Sequence, residues 1–180
     1  MKRLKLEGVR IKAVLIVFII VLSLMLLGQY LIRKKLVIQP IYEAFAGIES
    51  VSSVALVENG EQLTLTLTLQ EVGRLDDAIN EIFQTADQFS MPFQIQIKDQ
   101  ADDKLESVYH QMHYMIEQSI TQGNFVEMAE TIEEVAESNQ IYHRLKIDRS
   151  YVYLQLHHGN NYLYQVISRH DQPRIVRLDS

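Results

Sequence analysis

Glu106, His110, His113 and Glu117 come closer to chemistry than any other residues in this chain. On a helix they fall at i, i+4, i+7 and i+11, one narrow arc, so His110 and His113 could share a divalent ion. Two ligands from one helix do not complete a site. A metal-dependent hydrolase would need a further carboxylate or histidine brought beside them by the fold, and exposed helix faces show the same spacing with merely solvated Glu and His. His157-His158 falls at a turn and reads as structural. His143 falls on a core-facing strand position and reads as a hydrogen-bonded interior residue, because a lone histidine lacks the second titrating group that acid-base work needs. The sequence contains no Gly-rich phosphate loop, nucleophile elbow, HExxH or paired cysteines, and seven glycines serve the whole chain. The expectation is a protein that is not an enzyme, with no catalytic residues, no metal beyond the weak pair His110 and His113, and no cofactor.

A second constellation is built for contact. Three strand-like runs cover 141–147, 151–157 and 162–168, and a short fourth covers 174–178. With hairpin turns at Asp148-Arg149 and Gly159-Asn160, one face collects Ile141, Leu145, Ile147, Val152, Leu154, Leu156, Leu163 and Ile167. The opposite face carries Tyr142, Arg144, Lys146, Tyr151, Tyr153, Gln155, His157, Tyr162 and Tyr164, with Arg144 against Tyr153 and Lys146 against Tyr151. Tyrosines beside cations form the amphipathic surface enriched at protein interfaces, which makes Tyr142, Arg144, Lys146, Tyr151, Tyr153, Tyr162 and Tyr164 the candidate binding surface. Two other readings stay open. Tyrosine suits any half-exposed sheet, and the face could instead pack against the preceding part of the chain.

The elements that must hold these residues follow from periodicity. Pro40 suits a first helical turn, and Ile41, Tyr42, Phe45 and Ile48 keep helical spacing after it. Strand 51–57, a turn at Glu58-Asn59-Gly60-Glu61 and the alternating Leu/Thr run 63–69 predict a hairpin with its leucines on one face. Val72, Leu75, Ile79, Ile82, Phe83, Ala86 and Phe89 predict a helix that Pro92 stops, and Phe93, Ile95 and Ile97 a third strand. Next, Leu105, Val108, Tyr109, Met112, Met115, Ile116 and Ile120 form a helical stripe ended by Gly123. Asn124 then opens a second helix, antiparallel to it, with Glu127 as capping-box partner. The fold class is therefore α+β: a small α-β-β-α-β module, then two antiparallel helices packed on a three- to four-stranded antiparallel sheet. Over residues 39–98 the element order resembles that of ring-building modules in membrane-anchored proteins of sporulation channels and secretion systems, and is similar to KH-type topology. The resemblance is one of element order alone.

Ahead of these modules stands an uncharged apolar run, residues 13–32, whose length as a helix, about 30 Å at 1.5 Å per residue, matches the hydrocarbon core. Five basic residues precede it, and Arg33, Lys34 and Lys35 follow, which favours a cytoplasmic N-terminus and an extracytoplasmic remainder. The absence of cysteine excludes a lipid-modified cysteine anchor and a disulfide scaffold. Residues 1–35 hold eight basic residues and one acid, leaving nine basic residues against 22 acids, a net of −13, for 36–180. Such a domain repels phosphate backbones, so nucleic acid is not an expected partner. The expected organisation is a basic N-terminus at 1–12, a transmembrane helix at 13–32, a juxtamembrane helix and first module at 33–98, and a second module at 99–180. The expected role is non-catalytic assembly, scaffolding or regulation in the cell envelope, through self-association or another membrane protein. The alternative is a sensor for an envelope component, which requires a concave pocket among Tyr151, Tyr153, Tyr162 and Tyr164.

Overall fold

The computed structural model describes residues 8–59, 62–90, 93–170 and 173–178, in two compact units, Met1–Ile41 and Tyr42–Ser180. Helix α1 (Gly8–Arg33) passes through a π-helical turn (Lys34–Ile38) into α2 (Gln39–Ala46). Pro40 has no amide to give to the carbonyl four residues back, and the helix widens to π geometry in the turn before it. The run Ala13–Ala46 is long and apolar enough to cross a membrane. Leu22, at 44% exposure, is the most covered of the exposed large apolar side chains of α1, so the helix is apolar all round, without the single stripe of a surface helix.

In the second unit, β1 (Val51–Asn59) and β2 (Gln62–Leu69) form the expected hairpin, paired out to Asn59 and Gln62; Gly60 and Glu61 lie outside the described residues. A crossover through α3 (Leu75–Ala86) brings β3 (Phe93–Lys98) parallel to β2. Strict alternation does the rest: Leu63, Leu65, Leu67, Leu69, Ile95 and Ile97 are buried, while the threonines face outward. Phe45 of α2 closes part of this core, its ring 5.9 Å from Phe93 and 6.3 Å from Phe89. Helix α3 ends at Ala86, and Pro92, its expected stop, lies outside the described residues.

Helices α4 (Asp103–Gln122) and α5 (Phe125–Ser138) cover an antiparallel sheet of β4 (Tyr142–Ile147), β5 (Tyr151–His158) and β6 (Asn161–Ser168). Their shared core holds Leu105, Met112, Ile116, Met128 and Ile132 against Ile141, Val152, Leu154, Leu156 and Leu163, with Leu145, Ile147 and Ile167 at its margin. Gly123 turns the chain between the helices at φ +74°. The Asn124 side chain accepts no amide of α5; its own amide donates instead to the Glu127 carboxylate.

Two features depart from the sequence expectation. The β4–β5 turn is centred on Arg149-Ser150, because Asp148 Oδ1 accepts from the Ser150 and Tyr151 amides, both at 2.7 Å. Arg144 therefore faces Gln155, and Lys146 faces Tyr153. The slip moves every partner by two, which preserves the parity that assigns faces, so the apolar face is unchanged. The short fourth strand, β7 (Ile175–Arg177), does not extend the antiparallel sheet. It runs parallel to β3 as the last strand of a mixed sheet ordered β1-β2-β3-β7. The chain's end thus returns to the sheet that its first strands began.

Candidate functional site

The tyrosine-bearing face of the antiparallel sheet is the seam of this unit. Tyr153, Tyr162 and Tyr164 are 2%, 7% and 0% exposed, and Tyr151 is half-buried with its ring 5.4 Å from Phe83 of α3. Tyr142, Arg144 and Lys146 alone of the seven candidates stay exposed. Part of the expected binding surface is therefore interior: Tyr162 and Tyr164 bond to Leu69 and Val72, and Tyr153 bonds to Asp148.

What the buried polar atoms do there is specific. The Tyr162 hydroxyl donates to the Leu69 carbonyl at 3.0 Å, and the Tyr164 hydroxyl accepts from the Val72 amide at 2.8 Å. Gln155 donates to the Val72 carbonyl at 3.1 Å and accepts from the Leu75 amide at 3.0 Å. Arg144 donates to the Gly73 carbonyl. Leu75 opens α3, whose N-cap Arg74 makes no side-chain cap, so Gln155 does the capping from 80 residues away. Burial, reinforced by the Asp148 carboxylate, raises the Tyr153 phenol far above its usual range; burial raises Tyr164 likewise, against the opposing Val72 amide. Burial also holds the His157 imidazole below its ordinary 6.5, Glu71 at 3.4 Å offsetting this only in part.

A second buried cluster fixes the returning strand. Arg177, 2% exposed at its side chain, reaches Asp99 at 2.6 and 3.0 Å and Glu106 of α4 at 3.2 Å. Asp99 also accepts from the Tyr164 amide at 2.8 Å. Burial opposes the Arg177 charge, but the hydrogen bonds it donates to the two carboxylates outweigh it and raise its pKa. Next to it, Asp102 caps α4 through the Leu105 amide at 2.8 Å and accepts from His158 at 3.0 Å and Asn161 at 2.9 Å. Burial would raise that carboxyl; these bonds reverse the effect and hold it below the usual carboxylate value.

The arc of Glu106, His110, His113 and Glu117 lines an open cleft of about 610 Å³ between α4, β6 and β7, with His170 and Pro173 on its far wall. Within it, Glu106 is committed to Arg177, and His113 Nδ1 lies 3.1 Å from the Tyr109 hydroxyl. Among the described residues, no group of three or more His, Asp or Glu is arranged to hold a metal ion. His143 is half-buried, and His158 serves the α4 cap. Sequence reasoning missed the roles of Gln155, Asp99 and Arg177. The one available signal was a lone polar residue inside an apolar strand, such as Gln155 between Leu154 and Leu156 or Arg177 after Ile175-Val176.

Comparison with protein-family models, with curated proteins and with solved structures found no match to this chain.

Proposed function

We propose that the chain is a single-pass membrane-anchored protein, N-terminus in the cytoplasm and acidic α+β unit outside, which works by contact rather than catalysis in assembling, scaffolding or regulating an envelope complex. The observation that carries this reading is the apolar helical run Ala13–Ala46 ahead of a compact unit. Basic residues concentrated before that run favour the stated sidedness. Inside the unit, the side chains best suited to chemistry are engaged in structural bonds, Glu106 with Arg177 and His113 with Tyr109. The test is protease treatment of intact and burst cells. Digestion of the unit in intact cells is expected; protection until the cells are burst would refute the sidedness. Crosslinking with mass spectrometry on intact membranes then reads out self-links or a partner, and recovery of neither would refute the assembly role.

The open cleft beside α4 favours a second reading, a binding module for a small envelope component, because its volume lies in the range of ligand sites. Under that reading, His110→Ala with Glu117→Ala abolishes ligand-induced thermal stabilisation of the intact chain while leaving its crosslinks unchanged.

A further inference from the structure

Gln155 and Gln165 are both buried in the antiparallel sheet, but only the first is bonded through its side chain. Gln155, 3% exposed, is engaged by Val72 and Leu75, whereas the amide of Gln165, 8% exposed, bonds to no protein atom among the described residues. An amide withdrawn from water without a partner destabilises the fold that holds it. On β6, Gln165 stands opposite Leu154 and keeps step with Leu163 and Ile167, which places it on the side covered by the helices, where it lines the cleft beside α4. Its unused hydrogen-bonding capacity is therefore held in the cleft wall.

The neighbours of that amide share its character. Ser168 Oγ accepts from the His170 amide at 3.1 Å and keeps its own proton to give. His113 meets the Tyr109 hydroxyl at 3.1 Å through Nδ1, so Nε2 remains, and the exposed rings of His110 and His170 add two further imidazoles to the lining. A carboxamide, a hydroxyl and a neutral imidazole each both donate and accept. Fixed charge is scarce beside them: Glu106 and Arg177 are paired with each other, which leaves the Glu117 carboxylate. An anion would find the one guanidinium of the lining already engaged, in a domain of net −13. A cation would find one carboxylate and leave Gln165, Ser168 and the imidazoles unanswered.

Hydroxyl groups answer them, because each gives one proton and receives another. Ile167, Pro173, Ile175 and Val176 supply an apolar stretch of the same wall, which suits the C–H face of a sugar ring. We propose that the cleft binds a neutral saccharide, with Gln165 as its buried anchor and His113, Ser168 and His170 meeting the ring hydroxyls. The inference rests on the cleft reading above and names its ligand class.

The full chain in detergent is screened against an immobilised panel of neutral, acidic and amine-bearing oligosaccharides, and the best neutral binder is titrated by calorimetry. A dissociation constant of about 1 mM or tighter is expected. Gln165→Leu is expected to weaken it by about tenfold or more while raising the melting temperature of the unliganded chain, since the amide removed bonds to nothing in the fold. His170→Ala, at an exposed position, is expected to weaken binding with that temperature unchanged, and it keeps the test decisive should Gln165→Leu fail to fold. Binding by no neutral member overturns the saccharide. Binding of an acidic or amine-bearing member alone, lost in these variants, also overturns it and leaves the cleft standing as a binding site. Saccharide binding that both variants leave intact lies elsewhere on the chain and overturns the cleft reading as well.

Discussion

Removing Arg177 should damage this protein more than removing any other cation. The side chains of Arg177 and Asp99 are each 2% exposed, and Glu106 is 24% exposed, so Arg177→Ala strands one carboxylate in the interior and a second at its edge. Orphaning a partner in a buried pair costs about 3–5 kcal/mol, because the remaining charge loses both its counterion and its water. In a domain of this size that lowers the melting temperature by about 10 °C or more. Arg174 provides the internal control. It pairs with Asp87 at 2.7 Å, but the two are 49% and 64% exposed, and such a pair is worth at most about 1 kcal/mol. The chain has no tryptophan, so unfolding is followed by far-ultraviolet circular dichroism of the intact protein in detergent. Adding Asp99→Asn to Arg177→Ala should recover part of the loss, since the stranded charge is its source. If Arg177→Ala costs no more than Arg174→Ala, or if Asp99→Asn recovers nothing, the reasoning is refuted.

Gln155→Leu leaves the Leu75 amide and the Val72 carbonyl without their partner and should cost about 1–3 kcal/mol, whereas Tyr142→Ala on the exposed margin should stay within about 0.5 kcal/mol in the same denaturation assay. Asp102 and Asp148 are both held below the ordinary carboxylate value of 3.8; burial opposes this, and the Ser150 and Tyr151 amides outweigh it at Asp148. Their contribution is complete above that pH and is lost as the pH falls through their lower folded values, so Asp148→Asn should flatten the acid limb of a stability–pH curve. His157 acts in the same direction at higher pH. Its folded value lies below 6.5, so the unfolded chain takes up the proton first, stability declines as the pH drops under 6.5, and His157→Gln should abolish that slope. Gly123→Ala forces a β-carbon into φ +74° and should cost about 1–2 kcal/mol by chemical denaturation.

How much of this was legible beforehand depended on whether the information was local. The Leu/Thr alternation at 63–69 and the stripe from Leu105 to Ile120 declared their element types, because backbone geometry repeats every 2 or 3.6 residues whatever lies beyond. The same parity kept the apolar face of β4–β6 correct although the first turn was misplaced by one residue. The cleft residues Glu106, His110, His113 and Glu117 were grouped correctly along α4, yet the arc could not show that Arg177, 71 residues further on, would claim Glu106.

Periodicity states which side of an element a residue occupies and says nothing of what will cover that side. That is why Tyr153, Tyr162 and Tyr164 read as surface and are interior, and why α3 starts without a cap in its own sequence. It is also why three residues near the C-terminus close a sheet begun at Val51. Composition and alternation alone determined the apolar helix, the acidic remainder and the faces of helices and strands, since each is a property of neighbours along the chain. Tertiary structure decided what met across distance: Gln155 on the Leu75 amide, Arg177 on Asp99, β7 on β3. Those choices follow from buried polar groups that must find partners wherever the packed chain supplies them.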